Sequence, residues 1–243
     1  MTIEAILFDL GDTLFGLRPM DDDRIQADLA SALQVHAGLA TGEAFQQAGQ
    51  IFSGLREQWR ESYLAGETLE RRVSASAAGR LEHYGAAAPA LAASLDECFA
   101  RADIERFDPP AGCAARVEAF RAHGFRLAAV SNTATTPEML DGFLTGVGLL
   151  PLFEAVVYSV VVGHRKPSPV IYETALNQLG IPASRAVFVG DRVREDIEGP
   201  HAVGLRAVLT HEFRQEAPGS SCPEAVIGRL PELHSVLTRL ERS

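Results

Sequence analysis

The hydrophobic pattern of this chain changes character twice. Residues 3–10, IEAILFDL, form a short apolar run that ends at Asp9 and meets Gly11 and Asp12. Its length and the glycine beside it predict a buried strand. From about residue 16 to 106 the chain turns rich in Ala, Leu, Glu, Gln and Arg, without a β-branched run. The segments 21–39, 41–66, 68–85 and 90–104 read as amphipathic helices, with Thr41, Glu43 and Ala44 marking one helix start. The Ala-rich stretch Ala86–Ala93 fits a helix hairpin better than a linker. This block predicts an all-helical insertion of four or five helices.

After Pro109-Pro110 the pattern changes again. A helix over 111–124 leads to a strand over 125–132, then a helix over 137–148 and a strand or strand pair over 153–163. A helix over 168–180 precedes the strand AVFVGD at 186–191. A short helix over 194–204, strands at 206–210 and 225–228, and a closing helix complete the chain. Strands alternating with helices at this spacing predict an α/β fold, a doubly wound parallel sheet with helices on both faces. Right-handed crossovers put the carboxyl ends of the strands along one edge, where ligands usually bind.

Composition narrows the classes of partner. The chain is 47% hydrophobic and 22% charged, ordinary for a globular protein, and its formal net charge is -10. Nucleic-acid backbones and anionic membranes both reward basic surfaces, so neither is expected as a partner. A local cluster of cations with a metal still allows an anionic substrate. Cys98, Cys113 and Cys222 are odd in number and far apart, which predicts neither a disulfide framework nor a zinc site. With Glu4 near the start and no apolar run of about 20 residues, the expected location is the cytoplasm.

Four polar groups fall at or just past the ends of predicted parallel elements: Asp9, Ser131, Lys166 and Asp191. Two carboxylates, a hydroxyl and an ammonium in one cleft can handle an anion with a hard metal. Asp9 and Asp191 suit Mg²⁺, which prefers oxygen ligands. Lys166 would neutralise charge, Ser131 would bind phosphoryl oxygens, and an aspartate nucleophile can split a displacement in two.

The segments FDLGDTL (8–14), VSN (130–132), HRKPSPVIYETAL (164–176) and VGDRVREDIEG (189–199) resemble, in order and spacing, the four motifs of the haloacid dehalogenase-like hydrolases. The resemblance implies a Rossmann-like α/β core over 1–15 and 107–243, and a helical cap over 16–106. It further implies Asp9 as nucleophile and metal ligand, with the Gly11 backbone carbonyl as a second metal contact. Ser131 and Asn132 would bind the transferring group, Lys166 would steady the nucleophile, and Asp191 and Asp196 would hold Mg²⁺.

Phosphatases of that family usually carry an aspartate two residues after the nucleophile, acting as acid and base, and this chain has Gly11 there. Asp12 is the nearest replacement, although the next side chain in a tight turn usually points elsewhere. Water in that role, or slow turnover, are the other options. The expected activity is Mg²⁺-dependent hydrolysis of a small phosphorylated metabolite through an aspartyl-phosphate. Two alternatives stay open: a metal-independent 2-haloacid dehalogenase, and an impaired protein that binds a phosphate ligand without turnover.

Other tempting features have plainer readings. Asp21-Asp22-Asp23 suits the first turn of a helix, where negative charge meets the helix dipole. Seven scattered histidines form no ligand pair. Phe45, Phe52, Trp59 and Tyr63, at near-helical spacing, predict the core of the helical block.

Overall fold

Strands buried on both faces must be apolar at every position, and AILF, LAAV and AVFVG meet that condition. In the computed structural model of the protein, which describes residues 2–242, they lie at the centre of a six-stranded parallel sheet. Its strands are β1 (Ala5–Phe8), β4 (Arg126–Ser131), β5 (Ala155–Tyr158), β6 (Ala186–Gly190), β7 (Arg206–Thr210) and β8 (Ala225–Ile227). The order across the sheet is β5-β4-β1-β6-β7-β8. Two short strands, β2 (Gly16–Leu17) and β3 (Phe107–Asp108), pair antiparallel as a separate ribbon.

The chain divides into two compact units. One comprises the chain up to Arg18, Phe107–Thr133 and the chain from Asp141 onward. The other comprises Pro19–Arg106 and Ala134–Leu140.

In the α/β unit alternate residues of each strand face opposite layers. Ala5 and Leu7 of β1 pack with Ile171, Tyr172 and Leu176 of a helix over Pro169–Leu179. Phe8 turns the other way, its ring 5.9 Å from Phe120 in the helix Cys113–Ala122. Phe120 in turn stacks on His234 of the closing helix, Leu233–Arg242. Helices therefore cover both faces, the doubly wound arrangement.

From β1 the sheet is built outward in opposite directions, through β4 and β5 on one side and β6, β7 and β8 on the other. The carboxyl ends of β1 and β6 thus flank the switch point, the place where such sheets leave a crevice. Asp9 and Asp191 are the residues that follow those two strands.

The structure decides one alternative left by the sequence and departs from one reading. The apolar run 153–163 holds one strand, because Ser159–Val162 coil into a single helical turn. The buried Ser159 hydroxyl accepts from Thr133 N at 2.8 Å and donates to Thr133 O at 3.1 Å, tying that turn to the end of β4. The short helix expected at 194–204 is a wide π turn at Val193–Glu198 followed by one α turn at Gly199–Ala202. Gly199 N donates five residues back to Arg194 O, and Pro200 has no N–H to make the next such bond to Glu195 O. The freed Glu195 carbonyl accepts from the Tyr172 hydroxyl.

The helical unit consists mainly of four helices, Asp22–Ala37, Thr41–Leu64, Val73–Leu81 and Ala88–Glu105. Asp21 caps the first by accepting from Arg24 N at 3.0 Å, and Asp22 and Asp23 occupy its first turn. Stripes at helical spacing form its core: Ile25, Leu29 and Leu33; Ala44, Ala48, Ile51 and Leu55; Leu91, Leu95 and Phe99. Phe52 is buried and Trp59 packs against the cluster, with ring distances of 5.5 and 5.3 Å to Phe99. Phe45 and Tyr63 are exposed instead, because they fall off the stripe that Ala44, Ala48, Ile51 and Leu55 define. No described helix is long and apolar enough to cross a membrane.

Candidate active site

Asp9 leaves β1 with its backbone N–H donating to Val189 O at 2.9 Å, so the parallel pairing of β1 and β6 fixes its position. Asp191 follows β6 directly. Asp196 reaches the same point from the wide turn, and Gly190 is what admits it. A Cβ on Gly190 would fall 2.4 Å from the Asp196 Cβ, closer than packed atoms come. The glycine of the sequence GDxxxxD is thus a spacing requirement between strand and turn. One oxygen from each of Asp9, Asp191 and Asp196 lies within 4.8 Å of the others, and all three residues are buried.

Lys166 comes from the loop ahead of the Pro169–Leu179 helix and is itself buried, 3% exposed. Its Nζ donates to Asp9 Oδ1 at 2.6 Å and to Asp196 Oδ1 at 2.7 Å. It also lies 5.3 Å from the centre of the Phe188 ring. Asp196 Oδ2 accepts from Arg192 N at 2.9 Å, so both its oxygens are engaged.

Asn132 holds the backbone of Lys166 from both sides. Its Oδ1 accepts from Lys166 N at 2.7 Å and its Nδ2 donates to Lys166 O at 3.1 Å. The amide expected to grip a transferring group is therefore first a fixture for the lysine, with one N–H of Nδ2 left over. Ser131 ends β4, buried beside β1.

Gly11 and Asp12 lie in the turn after β1. Asp12 is in the left-handed region, φ 55°, and its Oδ1 accepts from Leu17 N at 2.9 Å. Its carboxylate is turned onto the β2 backbone. The cause is local: the tight turn aims successive side chains apart, and an αL aspartate bonds to nearby backbone.

Two contacts went unnoticed in the sequence. Thr13 donates from Oγ1 to Asp9 Oδ2 at 3.3 Å, four residues along the same turn. Arg214 approaches Asp191 Oδ2 at 3.4 Å and Glu216 Oε2 at 3.1 Å from the loop after β7. The first could have been read from the tight turn after Asp9. The second had no signal, because Arg214 stands in an irregular polar loop.

Three buried carboxylates face one buried ammonium, and the electrostatics follow. Burial, then Asp196, push the Asp9 carboxyl up to about 6 against the pull of Lys166. Burial, then the negative charges of Asp9 and Asp196, push Asp191 up to about 8. Burial works against the Lys166 ammonium, but Asp196 and Asp9 outweigh it and raise its pKa. A group of hard oxygen donors with surplus negative charge is the environment a small divalent cation satisfies, and the three aspartates fit Mg²⁺.

A family model described as haloacid dehalogenase-like hydrolase matches residues 3–204. The chain belongs to that family. Its relatives include a ribulose-1,5-bisphosphate 5-phosphatase of Halopiger xanaduensis, 29% identical, covering 96% of this chain and 95% of the relative. A glyceraldehyde 3-phosphate phosphatase of Methanopyrus kandleri is 26% identical over 99% of both chains. Among solved structures of the family, a 2-haloacid dehalogenase from Pseudomonas syringae pv. Tomato DC3000 superposes with a TM-score of 0.70. It is 25% identical and covers 98% of this chain and 99% of that one. As a haloacid dehalogenase-like hydrolase, this protein is an enzyme.

Proposed function

We propose that this hydrolase is a Mg²⁺-dependent phosphatase acting on a small phosphorylated metabolite, with Asp9 as the nucleophile. The observation that carries the reading is the meeting of Asp9, Asp191 and Asp196 around one point, with Lys166 bridging two of them. The two phosphatase relatives, matched along nearly their whole length, support the reaction class.

In this reading Asp9 and Asp191, with the Gly11 carbonyl, hold the ion, and Asp196 ligates it or orients its surroundings. When bound, Mg²⁺ neutralises the carboxylates and draws charge from the phosphoryl oxygens. Lys166 holds Asp9 Oδ1 by a charge-assisted bond, and Oδ2, which takes the longer bond from Thr13 at 3.3 Å, attacks phosphorus. The Ser131 hydroxyl and the spare Asn132 N–H bind phosphoryl oxygens at the end of β4. The helical unit serves as the cap, taking residues 16–106 as its extent, and carries substrate specificity. The enzyme works in the cytoplasm.

The test is hydrolysis of an aryl phosphate by wild type and Asp9→Asn, with and without Mg²⁺. Metal-dependent phosphate release that disappears in the variant is expected; release untouched by the variant would exclude Asp9 as nucleophile. A second reading, hydrolytic dehalogenation of a 2-haloacid by the same carboxylate, is favoured by the likeness to the Pseudomonas dehalogenase. Halide release that survives metal removal would select it. Phosphate binding without any product would instead mark a binding protein.

A further inference from the structure

Around Asp9 several ionisable groups of the α/β unit are already engaged with one another. The Lys166 ammonium is divided between Asp9 and Asp196. Asp196 gives its second oxygen to Arg192 N, and Asp191 is met by Arg214. Asp12 spends its carboxylate on Leu17 N. Gly11, in the turn directly after the nucleophile, has no side chain, and the direction a side chain would take is filled. A Cβ there would lie 2.7 Å from Leu17 Cδ1 and 3.2 Å from both Cγ and Cδ2. The Leu17 backbone is fixed by its bond to Asp12 and by its pairing with Phe107, which sets where its side chain starts. An aliphatic group therefore occupies the volume into which residue 11 could have projected an acid.

Departure of an alkoxide depends strongly on a proton supplied in the transition state, an effect of about 10²–10⁴ in rate. An already acidic leaving oxygen does not need one. We infer that this enzyme takes phosphoryl compounds whose leaving group departs as a stable anion, acyl phosphates above all, in preference to alkyl phosphates. The inference rests on Asp9 being the nucleophile, as proposed above.

The steps balance without an added acid. An Asp9 carboxylate oxygen bonds to phosphorus while the bond from phosphorus to the leaving oxygen breaks. The electron pair departs with a carboxylate, and no proton moves. Water then cleaves the aspartyl-phosphate, regenerating the Asp9 carboxylate and releasing inorganic phosphate and one proton to solvent.

The experiment compares kcat/KM of the full chain, with Mg²⁺ at one pH, for acetyl phosphate, 4-nitrophenyl phosphate, phenyl phosphate and glycerol 3-phosphate. Uncatalysed hydrolysis is subtracted. Because kcat/KM reports steps up to the first irreversible one, it reads formation of the aspartyl-phosphate. The expected result is a fall of about 100-fold or more from acetyl phosphate to glycerol 3-phosphate, with the aryl esters ordered by leaving-group acidity. Glycerol 3-phosphate within about 10-fold of acetyl phosphate would overturn the inference while leaving the phosphatase reading intact. No turnover of any of the four would remove both.

The double variant Gly11→Asp, Leu17→Ala opens the filled volume to a carboxyl. It should raise the ratio of glycerol 3-phosphate to 4-nitrophenyl phosphate turnover by about 10-fold or more. An unchanged ratio in a folded double variant would overturn the role given to Leu17.

Discussion

The helical unit and the α/β unit are built from opposite materials. Among the described residues, the buried charged side chains, Asp9, Lys166, Asp191, Glu195 and Asp196, all belong to the α/β unit. The helical unit buries leucine, isoleucine, alanine and phenylalanine, and pairs its charges near the surface, as Arg24 does with Glu105 and Arg56 with Asp22. Its buried hydroxyl, Thr135, donates to Asp103 at 2.7 Å. One unit stores stability in apolar contact, which is insensitive to pH and metal. The other places like charges together where water cannot screen them, at a cost in stability that only a functional arrangement explains.

The sharpest way to break this contrast is to remove the cation from the charged cluster. Lys166→Met would leave three buried carboxylates without their ammonium. Denaturant unfolding in Mg²⁺-free buffer should show a loss of about 3–5 kcal/mol, and turnover should fall by at least about 10³-fold. Added Mg²⁺ should recover part of the stability and little of the turnover. A variant as stable as wild type would mean that the carboxylates are not ionised together.

Leu29→Ala supplies the counterpart in the helical unit. Leu29 is fully buried, and its truncation should cost about 2–5 kcal/mol through lost transfer energy and an unfilled cavity. The diagnostic is that this loss stays the same with and without Mg²⁺ and at either end of the neutral pH range.

The division of labour was legible in the sequence to different depths. The strand ends gave Asp9 and Asp191 away, because a carboxylate closing so apolar a run needs a partner. Lys166 was legible through its order relative to those strands, and Asp196 only through the family resemblance, since each comes from a loop or turn. What Asn132 does could not be read at all: its two bonds to the Lys166 backbone join segments 34 residues apart. The ribbon of β2 and β3 was missed for a related reason. Two-residue strands carry no periodicity, and Gly16 meets Asp108 across the whole helical block. The wide turn at Val193–Glu198 answers to Asp196 and Tyr172 in three dimensions, where the helical periodicity of the segment is silent.

A smaller effect separates the charges of the cluster from one another. Asp9 and Asp191 have folded-state pKa values raised to about 6 and about 8 from 3.8, so between those limits the folded protein binds more protons than the unfolded chain. Their contribution is fully present below 3.8 and is lost as pH rises through 6 to 8. The Mg²⁺-free protein should therefore melt at a higher temperature at about pH 5.5 than at about pH 8.5. Millimolar Mg²⁺ should narrow the gap by favouring the ionised carboxylates. Asp191→Asn should gain about 1–3 kcal/mol above pH 8 without metal and lose the response to Mg²⁺. A melting profile flat across this range would show that the carboxylates are better solvated than their burial implies.

The smallest expected effect bears on the turn between the two kinds of chemistry. Asp12→Asn keeps a residue that tolerates the left-handed conformation and keeps an acceptor for Leu17 N, while removing the carboxylic acid. If Asp12 only braces the turn, kcat on an aryl or alkyl phosphate should stay within about 2-fold of wild type, because no proton passes through it. If it supplies the missing acid, alkyl phosphate turnover should drop by about 10²–10⁴ while turnover of aryl phosphate falls much less. Asp12→Ala separates bracing from acid catalysis further. It loses the bond to Leu17 and strains the αL position, so it should lower stability by about 1 kcal/mol or more and move both substrates together. A substrate-dependent loss in Asp12→Asn would turn that side chain from the backbone of β2 toward the nucleophile, and the charged unit would then extend into its own turn.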